Sequence, residues 1–306
     1  MQARRMSKTV KNSIVAASLA MKQAQIESPE AIITGSGLGV VGDTQNFLEK
    51  MLDNDEQFLT PTSFIQSTHN TPAAHIAARI SCHAYNFTYV NRGHSFENAL
   101  QDAEMQIAEG KTQILAGGSD EMTEQYFFIT QKAGWWKDAP INSEDIFDSE
   151  TNGALCGEGT NYFVLSKEKS ELTQSCIDDT DTFYKPQSID YIKNRINNFL
   201  KKNGRTLEDI DLVLLGNSGD FPSDAVYKDL QNSLLSQNAL GGFKHLCGEY
   251  HTASAFALWL ANAILKTQNL PKFIRLNAKE PKKLEKILIY NHYFNINHSL
   301  MLVSKN

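Results

Sequence analysis

Apolar residues follow two rhythms along this chain, one recurring every three to four positions and one made of short unbroken runs. The first rhythm predicts helices over residues 7–25, with Val10, Ile14, Ala17 and Met21 on one face, over 44–53 (Phe47, Leu48, Met51), and over 189–202 (Ile192, Ile196, Phe199, Leu200). Thr71-Pro72 opens another helix through residue 80, with proline near its first position. Residues 124–133 and 225–235 also read as helical, and 251–265 as a very apolar helix. The second rhythm predicts strands at 31–34, 87–90, 113–116, 162–165, 212–215, 287–290 and 299–303, with a poorly marked one near Ser175. Residues 60–68 and 134–148 read as loops, and 241–248 as a glycine-bounded segment. Strands alternating with helices imply a layered α/β fold.

The elements fall into two halves, 1–166 and 167–306, that share one order: helix, strand, helix, strand, helix, then two closing strands. That order suggests an old duplication, although no residue-level repeat accompanies it. The first half is one strand short at its start, because the sequence opens directly on a helix.

Residues 86–120 form the centre of this plan. A β-rich run meets an Asn91-Arg92-Gly93 break, then a helix kept slim by Ala99, Ala103, Ile107 and Ala108, then a strand ending in Gly117-Gly118. Ser95 is placed to cap that helix, and Glu97 or Asn98 to approach the freed amides of its first turn. An elbow aimed at a helix N-terminus is where many enzymes mount a nucleophile. Here the elbow residue, Gly93, has no side chain. The run Gly35-Ser36-Gly37-Leu38-Gly39 is not followed by a clean helix in a βαβ unit, so it reads as a glycine loop rather than a dinucleotide site.

Composition narrows the function classes. With 306 residues, 41% hydrophobic, the chain can bury one large core or two intimately packed halves. A net charge of -6 argues against a nucleic-acid footprint. The cysteines, Cys82, Cys156, Cys176 and Cys247, are far apart and read as reduced cytosolic thiols, which suggests a cytoplasmic protein. The basic, then apolar, opening residues read as an amphipathic helix rather than a targeting peptide. No stretch reaches the ~20 apolar residues of a membrane span. His69, His75, His83, His245 and His298 lack metal-ligand spacing, and neither a metal nor a cofactor is expected.

Several segments, in the right order, resemble one family. Residues 152–159, NGALCGEG, with Tyr162-Phe163-Val164-Leu165 after them and Ile146-Phe147-Asp148 before, look like the glycine-glutamate-glycine signature of β-ketoacyl synthases. IAEGKTQILAGGSDEMTE is similar to their helix-strand segment with paired glycines. Lys244 and Gly248, ahead of an Ala/Ser-rich helix, resemble the lysine and second-histidine motif, and residues 297–300 the end of the C-terminal active-site loop. The resemblance covers nearly the whole chain. It implies a thiolase-like fold, two similar halves in five layers (α-β-α-β-α) in a dimer, and a first half lacking its usual first strand. The resemblance places that strand in the middle of its sheet, where its loss would leave two neighbours with unpaired ladder groups.

In active members a cysteine at the elbow takes the acyl group, and two histidines assist decarboxylation and condensation. Aligned without gaps, the cysteine position is Gly93, the first histidine position Gly216 and the second Glu249; the lysine is kept as Lys244. The glycine-rich gate corresponds to His292-Tyr293-Phe294-Asn295, with no glycine left. No catalytic residue is therefore expected. Ser95, His94 and His251 remain as fallback candidates, Glu249 reads as an ion-pair partner of Lys244, and Cys247 as a small buried residue. A scaffold without its nucleophile resembles the chain-length factors, which pair with an active ketosynthase and are served by an acyl carrier protein. The resemblance implies a non-catalytic subunit in polyketide, aryl-polyene or fatty-acid-like biosynthesis. The alternatives are an autonomous 3-oxoacyl-carrier-protein synthase-like acyltransferase or decarboxylase working through Ser95 or His251, and a homodimeric acyl-binding module. Tyr85, Tyr89, Phe96, Phe127, Phe128, Tyr293 and Phe294 are candidates to line the interface or tunnel.

Overall fold

The computed structural model describes residues 6–306. The first half contributes α1 (Lys8–Ala24), β1 (Ala31–Gly35), α2 (Val41–Asp53), α3 (Pro61–Ser67), α4 (Thr71–Arg79), β2 (Tyr85–Tyr89), α5 (Ser95–Ala108), β3 (Gln113–Asp120), α6 (Glu124–Lys132) and β4 (Gly159–Ser166). The second contributes β5 (Ser175–Tyr184), α7 (Ile189–Lys202), β6 (Leu212–Leu215), α8 (Phe221–Asn232), β7 (Leu240–Gly242), α9 (Lys244–Cys247), α10 (Ala253–Thr267), β8 (Lys286–Tyr293) and β9 (Asn297–Lys305). Residues 61–67, expected as loop, are helical; Pro61 sits in the first turn, where its missing N–H costs nothing.

The strands make two sheets, ordered β2-β1-β3-β4 and β7-β6-β8-β9-β5. Helices α5 and α10 lie between the sheets, α1 and α4 cover the first sheet outside, and α7 and α8 cover the second. These are five layers. They explain why the central strands are unbroken apolar runs rather than alternating ones, since both faces are covered. In β6, Leu212 and Leu214 join the middle core while Val213 and Leu215 face α7 and α8. In β1, Ala31 and Ile33 face inward and Ile32 faces α1 and α4.

The two sheets share a plan. In each, a central strand (β1, β6) pairs in parallel with one strand on either side, and the next strand along (β4, β9) pairs antiparallel. The second sheet then adds β5 antiparallel to β9, at the edge. The strand without a counterpart in the first half is thus an edge strand, which corrects the expected central gap. Among the described residues no ladder of the first sheet is interrupted, and its edges are β2 and β4.

Candidate functional site

The elbow forms where β2 ends and the chain makes a short turn, Arg92–His94, before α5. The left-handed backbone here belongs to Arg92 (φ 47°), and Gly93 is required by space instead. A Cβ built on Gly93 would lie 2.6 Å from Cβ of Tyr293 and 2.9 Å from Cβ of Asn297. Gly216 is closed in the same way: its Cβ would meet Asn291 Oδ1 at 2.4 Å and the Tyr227 hydroxyl at 2.7 Å. Both positions that resemble catalytic ones are therefore filled by neighbours as well as lacking side chains.

At the third position, Lys244 donates to Glu249 (Nζ–Oε2 2.6 Å) and to the carbonyl of His292 (2.8 Å). Both side chains of this ion pair are buried. Burial outweighs the pull of Lys244 and pushes the Glu249 carboxyl up to about 7, and Asp224, which accepts from the backbone of Ser218 and Gly219, is pushed up to about 6 by the same cause. A folded-state value above the ordinary 4.5 gives Glu249 a stabilising contribution that is complete below that pH and is lost as pH rises through about 7. Glu249→Gln lacks this titration. Relative to that variant the parent chain should lose on the order of 1 kcal/mol per pH unit inside the window, read from urea midpoints at mildly acidic and mildly alkaline pH. A parent that instead gained on the variant as pH rose would show that Lys244 keeps the carboxylate ionised.

The signature segment before β4 acts as a clamp on these loops. Leu155 N–H donates to the Ser218 carbonyl, Glu249 N–H to the Leu155 carbonyl, and Gly157 N–H to the Glu249 carbonyl. The glycine run after β1 is tied to Asp120, whose carboxylate accepts from Gly37 N–H (2.7 Å), the Ser36 hydroxyl, and both the N–H and hydroxyl of Thr252. That run is a structural loop, held to the end of β3 and the start of α10.

The fallback residues are engaged elsewhere. Ser95 does not cap α5; it is the first residue of the helix, accepting from Asn91 N–H and donating to the Arg92 carbonyl. His94 is buried, with Nε2 at the His298 carbonyl and Nδ1 at Asn297 Nδ2. His251 is buried and stacked on Tyr293, ring centres 4.4 Å apart, and burial lowers its basicity. The cavity these rings border, with Asp120, Tyr126 and Trp136, measures only about 10 Å³, room for about one water.

The candidate lining residues separate. Phe96 is fully buried in the middle core against Phe163, not on an interface. Tyr89 and Phe127 are half-buried, and Phe128 is exposed. Tyr293 is buried, and Phe294 packs on Trp135 and Trp136, each ring pair 5.8 Å apart. Phe294 and Asn295 turn the β8–β9 hairpin with φ of 46° and 52°, a left-handed path that is strained for a bulky residue such as Phe294.

Sequence reasoning missed Glu97 as a buried group. It is 0% exposed, and burial raises its carboxyl against the smaller opposing pull of Ser299, Ser254 and His94. An acidic residue in the first turn of a helix otherwise rich in small residues was the available signal. It also missed the buried column in which Tyr227 stacks on His292 (4.3 Å) and Tyr290 bonds His298. Among the described residues no His, Cys, Asp and Glu cluster is arranged to hold a metal, and no helix is long and apolar enough to cross a membrane.

Residues 1–171 match the family model for the N-terminal domain of β-ketoacyl synthases. A search of curated proteins by sequence found no match. Solved structures match over nearly the whole chain. The ishigamide ketosynthase/chain length factor superposes with a TM-score of 0.80 at 16% identity, covering 98% of this chain and 83% of that one. A β-ketoacyl synthase from Burkholderia phymatum gives 0.79 at 16%, covering 100% and 84%. A ketosynthase in complex with its chain length factor from Xenorhabdus doucetiae gives 0.79 at 15%, covering 98% and 82%. At such identities the likeness speaks for the fold, which is thiolase-like, with four strands in the first sheet among the described residues.

Proposed function

The chain belongs to the β-ketoacyl synthase family, and on that premise we propose that it is a non-catalytic subunit of the chain-length-factor kind. It pairs with a cysteine-bearing ketosynthase served by an acyl carrier protein. The observation that carries this reading is the closed space at Gly93, where no acylated side chain can be mounted without displacing Tyr293 and Asn297. The substitution of Glu249 for an imidazole points the same way, because a carboxylate repels the enolate oxygen that a donor would stabilise. The pathway, polyketide, aryl-polyene or fatty-acid-like, is the finer part of the same proposal.

The partner face fits exposed apolar surface on β2, where Tyr85 and Phe87 stand at the free edge of the sheet, and on α2 and α3, where Leu48, Leu52, Phe64 and Ile65 are exposed. Their exposure supports association with another subunit, since patches of this kind on a lone chain mark interaction sites.

Two measurements test the proposal. The purified chain alone should show no malonyl-thioester decarboxylation or condensation above background. Co-expressed with a ketosynthase from the same biosynthetic locus, it should co-purify in a stable complex and set product length. Turnover by the lone chain, abolished in Ser95→Ala or His251→Ala, would establish the autonomous alternative. A stable lipid-bearing homodimer in native mass spectrometry would favour the acyl-binding module.

A further inference from the structure

The tip of the β8–β9 hairpin, residues 293–297, stands over the elbow. Tyr293 and Asn297 fill the space beside Gly93, and Phe294 rests on Trp135 and Trp136. The tip is also strained, because Phe294 and Asn295 both take left-handed backbone angles. Strained backbone of this kind persists only where its surroundings hold it. Two imidazoles contribute to that hold, one at each end of the tip.

At the first end, His292 Nδ1 accepts the N–H of Asn295 at 3.1 Å. A backbone N–H only donates, so this nitrogen must carry no proton. At the second end, His94 Nε2 donates to the His298 carbonyl (3.1 Å) and its Nδ1 accepts from Nδ2 of Asn297 (3.3 Å). A proton on either Nδ1 would set two donors face to face. The Asn297 amide can turn its oxygen toward a charged ring, whereas the Asn295 N–H has no such freedom. His292 is therefore the stricter latch.

The groups around the rings set the sign of the effect. Burial, then His298 of β9 and Lys244 of α9, hold the His292 imidazole well below the usual histidine range, against the smaller pull of the Ser223 backbone on α8. Tyr227 stacks on the ring, and Glu249 is engaged by Lys244. Glu97 of α5 faces His94, and His251, stacked on Tyr293, faces Asp120 and Arg92. A value lowered in the closed form makes the His292 contribution complete above the ordinary 6.5, and it is lost as pH falls below that. The raised carboxyls of Glu97, Glu249 and Asp224 carry the opposite sign. They lie outside the tip, so a substitution at His292 isolates the share of its imidazole.

We propose that residues 293–297 are an acid-released plug over the elbow, with His292 as its latch. The His292 ring is 0% exposed, so the proton arrives from solvent during a transient opening and captures the open form. The bond to Asn295 cannot then re-form, the strained turn stays released, and Tyr293 and Asn297 leave the space beside Gly93. Release needs no partner subunit.

Hydrogen exchange of the full chain tests this, with rates corrected for the intrinsic effect of pH. Amides of residues 294–297 should be about tenfold less protected at about pH 5.5 than at about pH 7.5, because an open imidazole of ordinary pKa favours the open form by that ratio. In His292→Asn the side-chain oxygen can accept the same N–H and does not titrate, so the ratio should fall to about twofold or less. His292→Gln serves in its place if His292→Asn does not keep the parent's circular dichroism. Three results would overturn the proposal: flat protection of the tip in the parent, a tenfold loss that survives in the His292 variant, or a loss shared equally by residues 212–215 of β6, which would mean general unfolding.

Discussion

Gly93→Cys should yield a chain about 2–3 kcal/mol less stable than the parent and no more reactive toward acyl thioesters. The new Cβ must enter a space where Tyr293 and Asn297 stand at 2.6 and 2.9 Å. Tyr293 is itself stacked on His251 and lies edge-on to Phe294, so it cannot yield without disturbing both contacts. The clash falls on Cβ of Tyr293, so Tyr293→Ala does not relieve it; Tyr293→Gly does, leaving the approach to Asn297. Urea denaturation measures the stability, and labelling with iodoacetamide measures access to the introduced thiol. A stable Gly93→Cys chain that labels and acylates would mean the elbow still has room for chemistry, and the non-catalytic reading would fall with it.

The second large effect is expected at the buried ion pair. Glu249→Ala should cost about 3–5 kcal/mol, because it leaves the Lys244 ammonium, 0% exposed, with only the His292 carbonyl as acceptor. Lys244→Met should cost a similar amount by stranding the carboxyl. The double variant Lys244→Met/Glu249→Leu should be much less destabilised than the sum, since replacing both charges with apolar groups removes the desolvation cost with the attraction. Additive losses in the double variant would show that the pair contributes through shape rather than charge. Glu249→His should recover only part of the loss in Glu249→Ala, because a neutral imidazole offers Lys244 one acceptor nitrogen but no negative charge.

Much of this was legible from local features. The helices around Val10, Ile192 and Leu258 and the strands of both halves follow from residue periodicity, because burial on one or both faces imposes it directly. Residues 61–67 were misread because a short helix with no buried residue leaves no apolar stripe to detect. Ser95 was misread because capping depends on one residue's backbone angles, and the 3₁₀ turn at Arg92 shifts the helix start by one position.

The sequence alone determined which side chains exist at the elbow and in the two loops facing it: glycine at 93 and 216, glutamate at 249. It also determined the shared order of the two halves. Only the tertiary structure decided that the space beside Gly93 is taken by residues some 200 positions away, that Glu97 is sealed from water, and that the fifth strand of the second sheet lies at an edge. The physical reason is range. Identity and periodicity are carried by neighbouring residues, whereas free volume, desolvation and sheet order arise only where distant segments meet.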